Sequence, residues 1–592
     1  MTPESARYSS IADSTFPRLK ADLLLVHPPA FFEFRGRSDL YFPFLGTSGD
    51  VPITPLYEFF PLGFKKLQRA LGQRGYEVKI LNLSTLLIRF RKADLNALFE
   101  SLDVRLVGID LHWMVHVQGS LAIAELLKSV RPDLPVMFGG ISSTYYASEL
   151  VRRPSIDMVM RGYDTIAPVA QLLDVLSTGR SLAEVPNLLW KSDDSSVRDN
   201  GFTHTPTTFG CGIDWSSVPE RSPSLLSIRE VVSTHNAGCS FGCGYCGGSR
   251  DAFRRIHGVS HGVAKKSPEE IGYELGTMRR DKGSEQYHLY AMGLDNLGGV
   301  HHEAFLNGLD GASLKSVNFE QFYLPDVEVV ERMVRTSKRT LITLSPDSHD
   351  LTVAKAAGRG VYTNEELERW LDKALNAGIS KVDIWYFVGM PQQDEKSVQK
   401  TVEYCNRLLQ KFRGKADPMI CPLMPYLDPA STFFENPEKH GYRVFCRTVA
   451  DHHAASKRAS PISRMNYETR WLSRSDIFYV GLRAVRALMD AKANVGMFAR
   501  PRVDGFNARI DDALEFTRVV HEVDSVQDPA ERRRLLEGLG PDILARNEEV
   551  LYGGVMDQTY PVARPSSGRW CDELGWTPTQ IEATLARPVK SG

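Results

Sequence analysis

The stretch "HNAGCSFGCGYCGGSR", residues 235–250, decides how this chain is read. It sets Cys239, Cys243 and Cys246 in one glycine-rich loop with spacing C-x₃-C-x₂-C, in a chain that has only eight cysteines. The other five, Cys211, Cys405, Cys421, Cys446 and Cys571, are scattered. That spread argues against a disulfide framework and suits small core residues. Zinc normally takes four ligands in paired sets. No second CxxC occurs, and His235 does not form a usual pair with the triplet. A fortuitous cluster of thiols is the other plain reading. A cubane iron–sulfur cluster fits better, because such clusters are held by cysteine thiolates and three of them leave one iron open. Gly238, Gly242, Gly244, Gly247 and Gly248 let backbone wrap an inorganic core and aim amides at it.

Working outward, "SIREVVSTHNAGC" (227–239) reads as a strand running into the loop. "SPEEIGYELGTMRR" (267–280) reads as a helix with Ser267 as N-cap and Glu270 at the capping-box position. Further strands are expected at 285–293, 316–322, 340–348, 381–391 and 417–429, separated by helices such as 363–378. About six β/α units imply a partial barrel with its chemistry at the C-terminal rim. Upstream, strand-like runs at 22–29, 104–113, 134–140 and 155–162 alternate with helical patterns at 119–133 and 167–176, and 61–83 reads as a helix, a glycine turn and a strand. This is the pattern of a doubly wound, Rossmann-like parallel sheet, whose ligands sit at the strands' carboxyl ends. Residues 191–225, rich in Ser, Thr, Pro and Gly, read as a linker, and 440–592 as a mainly helical region. The expected organisation is therefore 1–190, a 191–225 linker, 226–439 and 440–592.

The 592 residues suffice for about three to five domains at roughly 100–200 residues each. With 71 basic and 72 acidic residues, the charge balance asks for neither nucleic acid nor an anionic membrane. The N-terminus lacks the apolar core of a secretory signal, and no run reaches the about 18 apolar residues of a membrane span. A cytoplasmic location is the expectation.

The cysteine loop, a strand before it and a helix after it resemble the radical S-adenosylmethionine superfamily, whose CxxxCxφC motif follows the first strand of a partial (β/α)₆ barrel; Tyr245 stands at φ. The resemblance implies that Cys239, Cys243 and Cys246 bind a [4Fe-4S] cluster whose open iron chelates S-adenosylmethionine, and that reductive cleavage gives a 5′-deoxyadenosyl radical. It also implies cofactor contacts from Tyr245, Gly247 and Gly248 in the loop. Asp295 in "LYAMGLDN" (289–296) would lie near the methionine moiety, although a Gly-Gly-Glu signature is absent and a solvated loop carboxylate is the plainer reading. Ser345 and Asp347 in "LSPDSHD" (344–350) would reach the ribose, with a helix cap as the alternative. Gly389 in "FVGMP" (387–391) would let backbone approach the adenine.

A nucleotide-type domain before such a barrel is similar to the cobalamin-binding branch of that superfamily, over most of residues 20–435, with "FGGISSTYYASELV" (138–151) and "MRGYDTIAPV" (160–169) among the similar stretches. The resemblance implies that Gly139 and Gly140 allow the corrin or its tail to come close, with a tight strand–helix turn as the alternative, that Ser142, Ser143 and Thr144 hydrogen-bond the tail or phosphate, and that Gly162, Tyr163 and Asp164 sit on the next strand end. The DxHxxG signature that gives many cobalamin proteins a cobalt-binding histidine is missing. His112 or Trp113, in "DLHWMVH" (110–116), is expected near the lower face of the corrin, with interface packing as the alternative. The aromatic run "HPPAFFEFRGRSDLYFPF" (27–44) would cover the corrin or a domain interface. Tyr467, Arg470 and Trp471 would line a substrate pocket or pack between helices, and His301–His302 would lie on a solvated loop.

By this resemblance the chain is a cobalamin-dependent radical enzyme. The leading expectation is a methyltransferase acting on an unactivated carbon or phosphinate centre of a small molecule. A first S-adenosylmethionine would methylate the cobalt, and a second would yield the radical that opens the substrate. The alternatives are rearrangement, cyclisation or transfer of another part of S-adenosylmethionine, and a non-catalytic cobalamin or redox sensor. The implied partners are the substrate and a reductant such as flavodoxin or ferredoxin.

Overall fold

The computed structural model describes residues 18–44, 62–89, 94–192, 194–216, 230–280, 288–296, 298–310, 314–422 and 426–552. Cys571, residues 217–225 of the expected linker, and residues 227–229, 285–287 and 423–425 of the strands expected at 227–239, 285–293 and 417–429 lie outside them.

The first sheet has seven strands: β1 (Leu19–His27), β2 (Val78–Asn82), β3 (Leu102–Asp110), β4 (Val136–Gly139), β5 (Met158–Met160), β6 (Leu188–Lys191) and β7 (Val197–Asp199). Their order is β2-β1-β3-β4-β5-β6-β7, parallel through β5 and antiparallel thereafter. The unbroken apolar run of β1 reflects burial on both faces. Leu24 and Val26 enter one core with Val107, Ile109 and Phe138, while Leu23 and Leu25 enter the other with Leu106 and Met137. The chain leaves β1 to one side for β2 and returns to the other side for β3. The β1/β3 boundary is therefore the topological switch point, where such sheets take their ligands.

The expected linker is not free chain. Beyond β7, β8 (Thr208–Phe209) joins a small sheet, and the backbone amides of Gly212, Ile213 and Trp215 donate to Glu270, Glu274 and Thr277. Its Ser, Thr and Gly composition hid this, because the partners lie on a helix some 60 residues further on.

The second large sheet contains β9 (Glu230–Thr234), β12 (His288–Met292), β13 (Ser316–Gln321), β14 (Thr340–Asp347), β15 (Lys381–Val388) and β16 (Ala416–Pro422), all parallel, in the order β16-β15-β14-β13-β12-β9. This is the six-stranded partial barrel. Between β9 and β12, β10 (Asn236–Gly238) and β11 (Val263–Lys266) form an antiparallel pair, and β8 runs parallel to β11. The helix Pro268–Arg280 begins as expected, with the Glu270 amide donating to Ser267 Oγ. The Glu270 carboxylate, however, does not close a capping box. It takes up Arg69, at 2.9 Å, and the Gly212 amide.

Buried ion pairs join the parts. Lys266 and Glu274, both essentially without exposed surface, meet at 2.7 Å, and Glu274 also accepts from Ser233 and Ile213. Lys66, on the helix Leu62–Gly72 of the first sheet, donates to Thr234 at the end of β9. At the opposite end of the barrel, Asp417 lies between Lys381 and Lys492, which docks the long helix Arg474–Asn494 onto β15 and β16. The C-terminal region adds the helices Arg500–Asp524 and Pro529–Tyr552 and one small antiparallel pair, β17 (Tyr442–Val444) and β18 (Tyr467–Thr469), which the sequence pattern did not reveal. Among the described residues no helix is long and apolar enough to cross a membrane.

The aromatic run 27–44 serves an interface. Phe31 and Phe42 pack with Val115 and Tyr426, Tyr41 meets Phe516, and the buried Arg464 stands over the Phe31 and Phe42 rings. Asn547 fixes the Phe42 amide and the Leu40 carbonyl.

Candidate active site

The sulfur loop leaves β10 at Gly238, whose φ of +77° and nearness to Gly262 O, 2.5 Å from where a Cβ would stand, admit only glycine. Three neighbours then hold its backbone. Gly244 donates to Ala357 O at 2.9 Å and accepts from Phe433 N at 2.8 Å. Gly247 donates to Asp428 Oδ2 at 2.9 Å. A Cβ on Gly244 would lie 2.2 Å from the Phe433 ring. With the backbone fixed, the thiols stay available. Cys239, Cys243 and Cys246 form no disulfide. The amides of Phe241 and Gly248 donate to the sulfurs of Cys239 and Cys246 at 3.4 and 3.3 Å.

Among the described residues no three His, Cys, Asp or Glu side chains converge on a single-ion site. Three thiols spread around a loop, with amides turned toward them, suit the larger body of a cubane. Burial pushes the Cys243 thiol up to about 12 and raises Cys239 and Cys246 as well. Such thiols stay protonated until a metal displaces the proton.

The rim of the barrel supplies the neighbours. Tyr245 donates to Asp347 Oδ2 at 2.8 Å, at the end of β14, where a register shift and a φ of +67° turn the aspartate inward. Burial pushes the Asp347 carboxyl up to about 6, against the pull of Arg359, whose Nε lies 3.7 Å away. Ser345 and Arg359 border a cavity of about 320 Å³, closed further round by Ser348, His349 and Tyr362.

The structure arranges other sequence candidates differently. Asp295 accepts the amides of Phe322 and Tyr323 and so braces the loop after β13. Its neighbour Asn296, which carried no sequence signal, faces the loop instead: Oδ1 lies 3.4 Å from Cys239 Sγ and accepts from Ser240 N at 2.7 Å. Gly389 is pressed against the C-terminal region, where a Cβ would stand 2.9 Å from Tyr467 Oη, and its carbonyl accepts from Tyr442. Tyr467 is fully buried, the amide of Arg470 donates to Gly441 O, and Trp471 packs on Gly441. His301 and His302 lie on the helix Gly299–Leu309, not on a loop.

At the switch point of the first sheet, β1 ends in the buried His27, whose Nδ1 lies 3.1 Å from Asp110 Oδ2 at the end of β3. The sequence reading passed over this pair, because the residues stand 83 apart. His112 and Trp113 follow directly, ring edge against ring face at 4.7 Å. His112 is exposed, and the protein around its ring lowers its pKa by desolvation. Trp113 packs with the 27–44 aromatics and Tyr426. Gly139 has nothing within 4 Å of a Cβ position, which leaves room for a ligand; Gly140, with φ +112°, is pressed against the His112 backbone at 2.8 Å. The expected tail contacts are spent internally. Ser142 and Ser143 donate to His112 O and Leu111 O, and Thr144 donates to Gly140 O while accepting from the Gly162 amide. Gly162, at φ +123°, abuts Asn187. Tyr163 reaches the barrel side, packing on Phe253 and His257, and Asp164 accepts from Gly210 N.

Two family descriptions match the chain: a B12 binding domain over residues 50–171 and the radical SAM superfamily over residues 233–405. No curated protein matches. Among solved structures, the chain is similar to the radical S-adenosylmethionine methyltransferase TsrM from Kitasatospora setae with cobalamin and [4Fe-4S] cluster bound, at 16% identity and a TM-score of 0.53, covering 86% of this chain and 100% of that one. The cobalamin-dependent S-adenosylmethionine radical enzyme OxsB with aqua-cobalamin bound matches at 12% identity and a TM-score of 0.49, covering 96% of this chain and 84% of that one. At 16% identity the likeness to TsrM concerns the fold. The family matches fall on the two sheets whose carboxyl ends carry the open switch point and the three free thiols. The chain is thus a member of the cobalamin-binding-domain radical S-adenosylmethionine enzymes, with cobalamin, a [4Fe-4S] cluster and S-adenosylmethionine as its cofactors.

Proposed function

We propose that the chain transfers a methyl group from S-adenosylmethionine to an unactivated carbon or phosphinate centre of a small molecule. The observation that carries this reading is the segment Tyr426–Glu435, after β16. It touches the sulfur loop through Asp428–Gly247 and Phe433–Gly244, and the edge of the first sheet through Tyr426 packed near Trp113 and Glu435 bonded to Tyr145 at 2.7 Å. The segment thereby ties the carboxyl ends of both sheets together, and holding two cofactors and a substrate close is what moving a group between them requires.

When bound, the cofactors supply the hard chemistry: one-electron reduction, a hydrogen-abstracting radical and a methyl carrier. The chain's own residues supply position. Cys239, Cys243 and Cys246 would hold the cluster, with the Phe241 and Gly248 amides and Asn296 around the sulfurs. Tyr245, tied to Asp347, would wall the S-adenosylmethionine side, and Ser345 would face its ribose from the cavity rim. His112 and Trp113 would lie beneath the corrin, with Gly139 leaving it space. The reductant is proposed to be a flavodoxin or ferredoxin.

The test is anaerobic. The reconstituted full chain, given methyl-deuterated S-adenosylmethionine, a reductant and a small-molecule extract, should release 5′-deoxyadenosine and give a product heavier by the labelled methyl group. Product without label, alongside 5′-deoxyadenosine, would replace methylation by rearrangement or cyclisation. Absence of 5′-deoxyadenosine would point to the sensor.

A further inference from the structure

The corner after the helix Leu351–Ala356 is pressed onto the sulfur loop. Ala357 O accepts from Gly244 N, and a Cβ on Gly358, which has φ +92°, would meet Gly242 O at 2.5 Å and the Cα of Cys243 at 3.0 Å. The next residue, Arg359, sets its guanidinium against two rings that touch each other, 3.9 Å from the Phe322 centroid and 5.1 Å from that of Phe241. Phe241 lies within the loop, between Cys239 and Cys243. The Arg359 side chain is 8% exposed, and Asp347, its carboxylate neighbour, stays at 3.7 Å, outside hydrogen-bond reach. Arg359 Nε and Nη1 and Asp347 Oδ1 are buried with no hydrogen-bond partner. A buried cation so loosely paired is costly unless another negative group offsets it.

Three thiolates around a cubane make a net negative site, and an added electron makes it more negative. A fixed positive charge in a water-poor setting therefore favours the reduced form, since net charge is among the factors that set cluster potentials. We propose that Arg359 is the charge that sets the reduction potential of the cluster held by Cys239, Cys243 and Cys246, with Asp347 as the counter-charge that limits its effect. One electron passes from an external low-potential reductant such as dithionite to the oxidised cluster. No bond to Arg359 forms or breaks, and no proton moves. The proposal rests on the cluster assignment made above.

The experiment is a potentiometric titration of the full chain, reconstituted anaerobically with iron and sulfide and followed by the electron paramagnetic resonance of the reduced cluster, with iron counted in every sample. Arg359→Gln should lower the reduced-to-oxidised ratio at a fixed potential at least tenfold, about 59 mV for a one-electron couple. Arg359→Lys should stay within about threefold of the parent, by the retained charge. Asp347→Asn should shift the ratio the other way. Opposite signs are what a packing role would not produce. Arg359→Gln with full iron and an unmoved potential overturns the proposal, even if S-adenosylmethionine binding weakens, because the residue would then be an anchor only. Shifts of the same sign in both variants overturn it too. Should Arg359→Gln fail to take up iron, Asp347→Asn decides, and no upward shift there refutes it. A parent chain without cluster iron sinks the cluster assignment itself.

Discussion

The sulfur loop and the loops at the carboxyl edge of the first sheet use the same materials, glycines and small polar residues at strand ends, in opposite ways. In the sulfur loop, neighbours hold the backbone, through Ala357, Asp428 and Phe433, and the thiols are left over. At the first sheet's edge, the side chains do the holding: Ser142, Ser143 and Thr144 are consumed by backbone carbonyls, and the groups left over are His112 and the space beside Gly139. A site that binds by covalent donors must spare its side chains. A site that seats a large ligand by shape needs a rigid wall, and hydroxyls that brace the wall serve it without touching the ligand.

Several changes would break or sharpen that contrast. The largest effect is expected for Cys243→Ala, which removes a donor that nothing else replaces. Iron content and 5′-deoxyadenosine formation should both be lost, and retention of either in oxygen-free assays would defeat the assignment. Next comes Lys266→Met, which strands the Glu274 carboxylate behind the sulfur loop. Breaking a buried pair from one side costs about 3–5 kcal/mol, read as a lowered denaturation midpoint with an unchanged slope. Gly244→Ala should cost about 1–3 kcal/mol by forcing Phe433 away and should lower iron uptake. The equivalent change at Gly139, beside open space, should leave stability nearly untouched.

A pH effect follows from His452, buried where Tyr146 from the first sheet, Phe434 and Tyr426 meet. Burial lowers its pKa to about 4. The unfolded chain, with histidine near 6.5, binds the extra proton first, so this contribution is intact above pH 6.5 and is lost as pH falls toward 4. Between pH 7 and 5 the loss should be about 2 kcal/mol, and His452→Gln should flatten that slope; an unchanged slope would contradict it. The smallest effect on stability, within about 0.5 kcal/mol, is expected for His112→Ala. The same change should alter the visible spectrum of bound cobalamin, and an unaltered spectrum would remove His112 from the corrin site.

The sequence by itself determined whatever rests on local order. The triplet spacing, the apolar run of β1, the alternation that yields the parallel strands of both large sheets, and the helical C-terminal region were all legible, because neighbours along the chain dictate them. Tertiary structure alone decided which polar groups remain free. Asp295, Gly389, Ser142 and Ser143 looked like ligand contacts at strand ends, but partners elsewhere in the chain occupy them. Asn296, His27 with Asp110, and Arg359 gave no local signal. The same holds for the 27–44 aromatics, whose partners Tyr426, Arg464 and Phe516 lie hundreds of residues away. The physical reason is that a hydrogen bond or a buried charge is a property of two places at once, and the chain's linear order records only one of them.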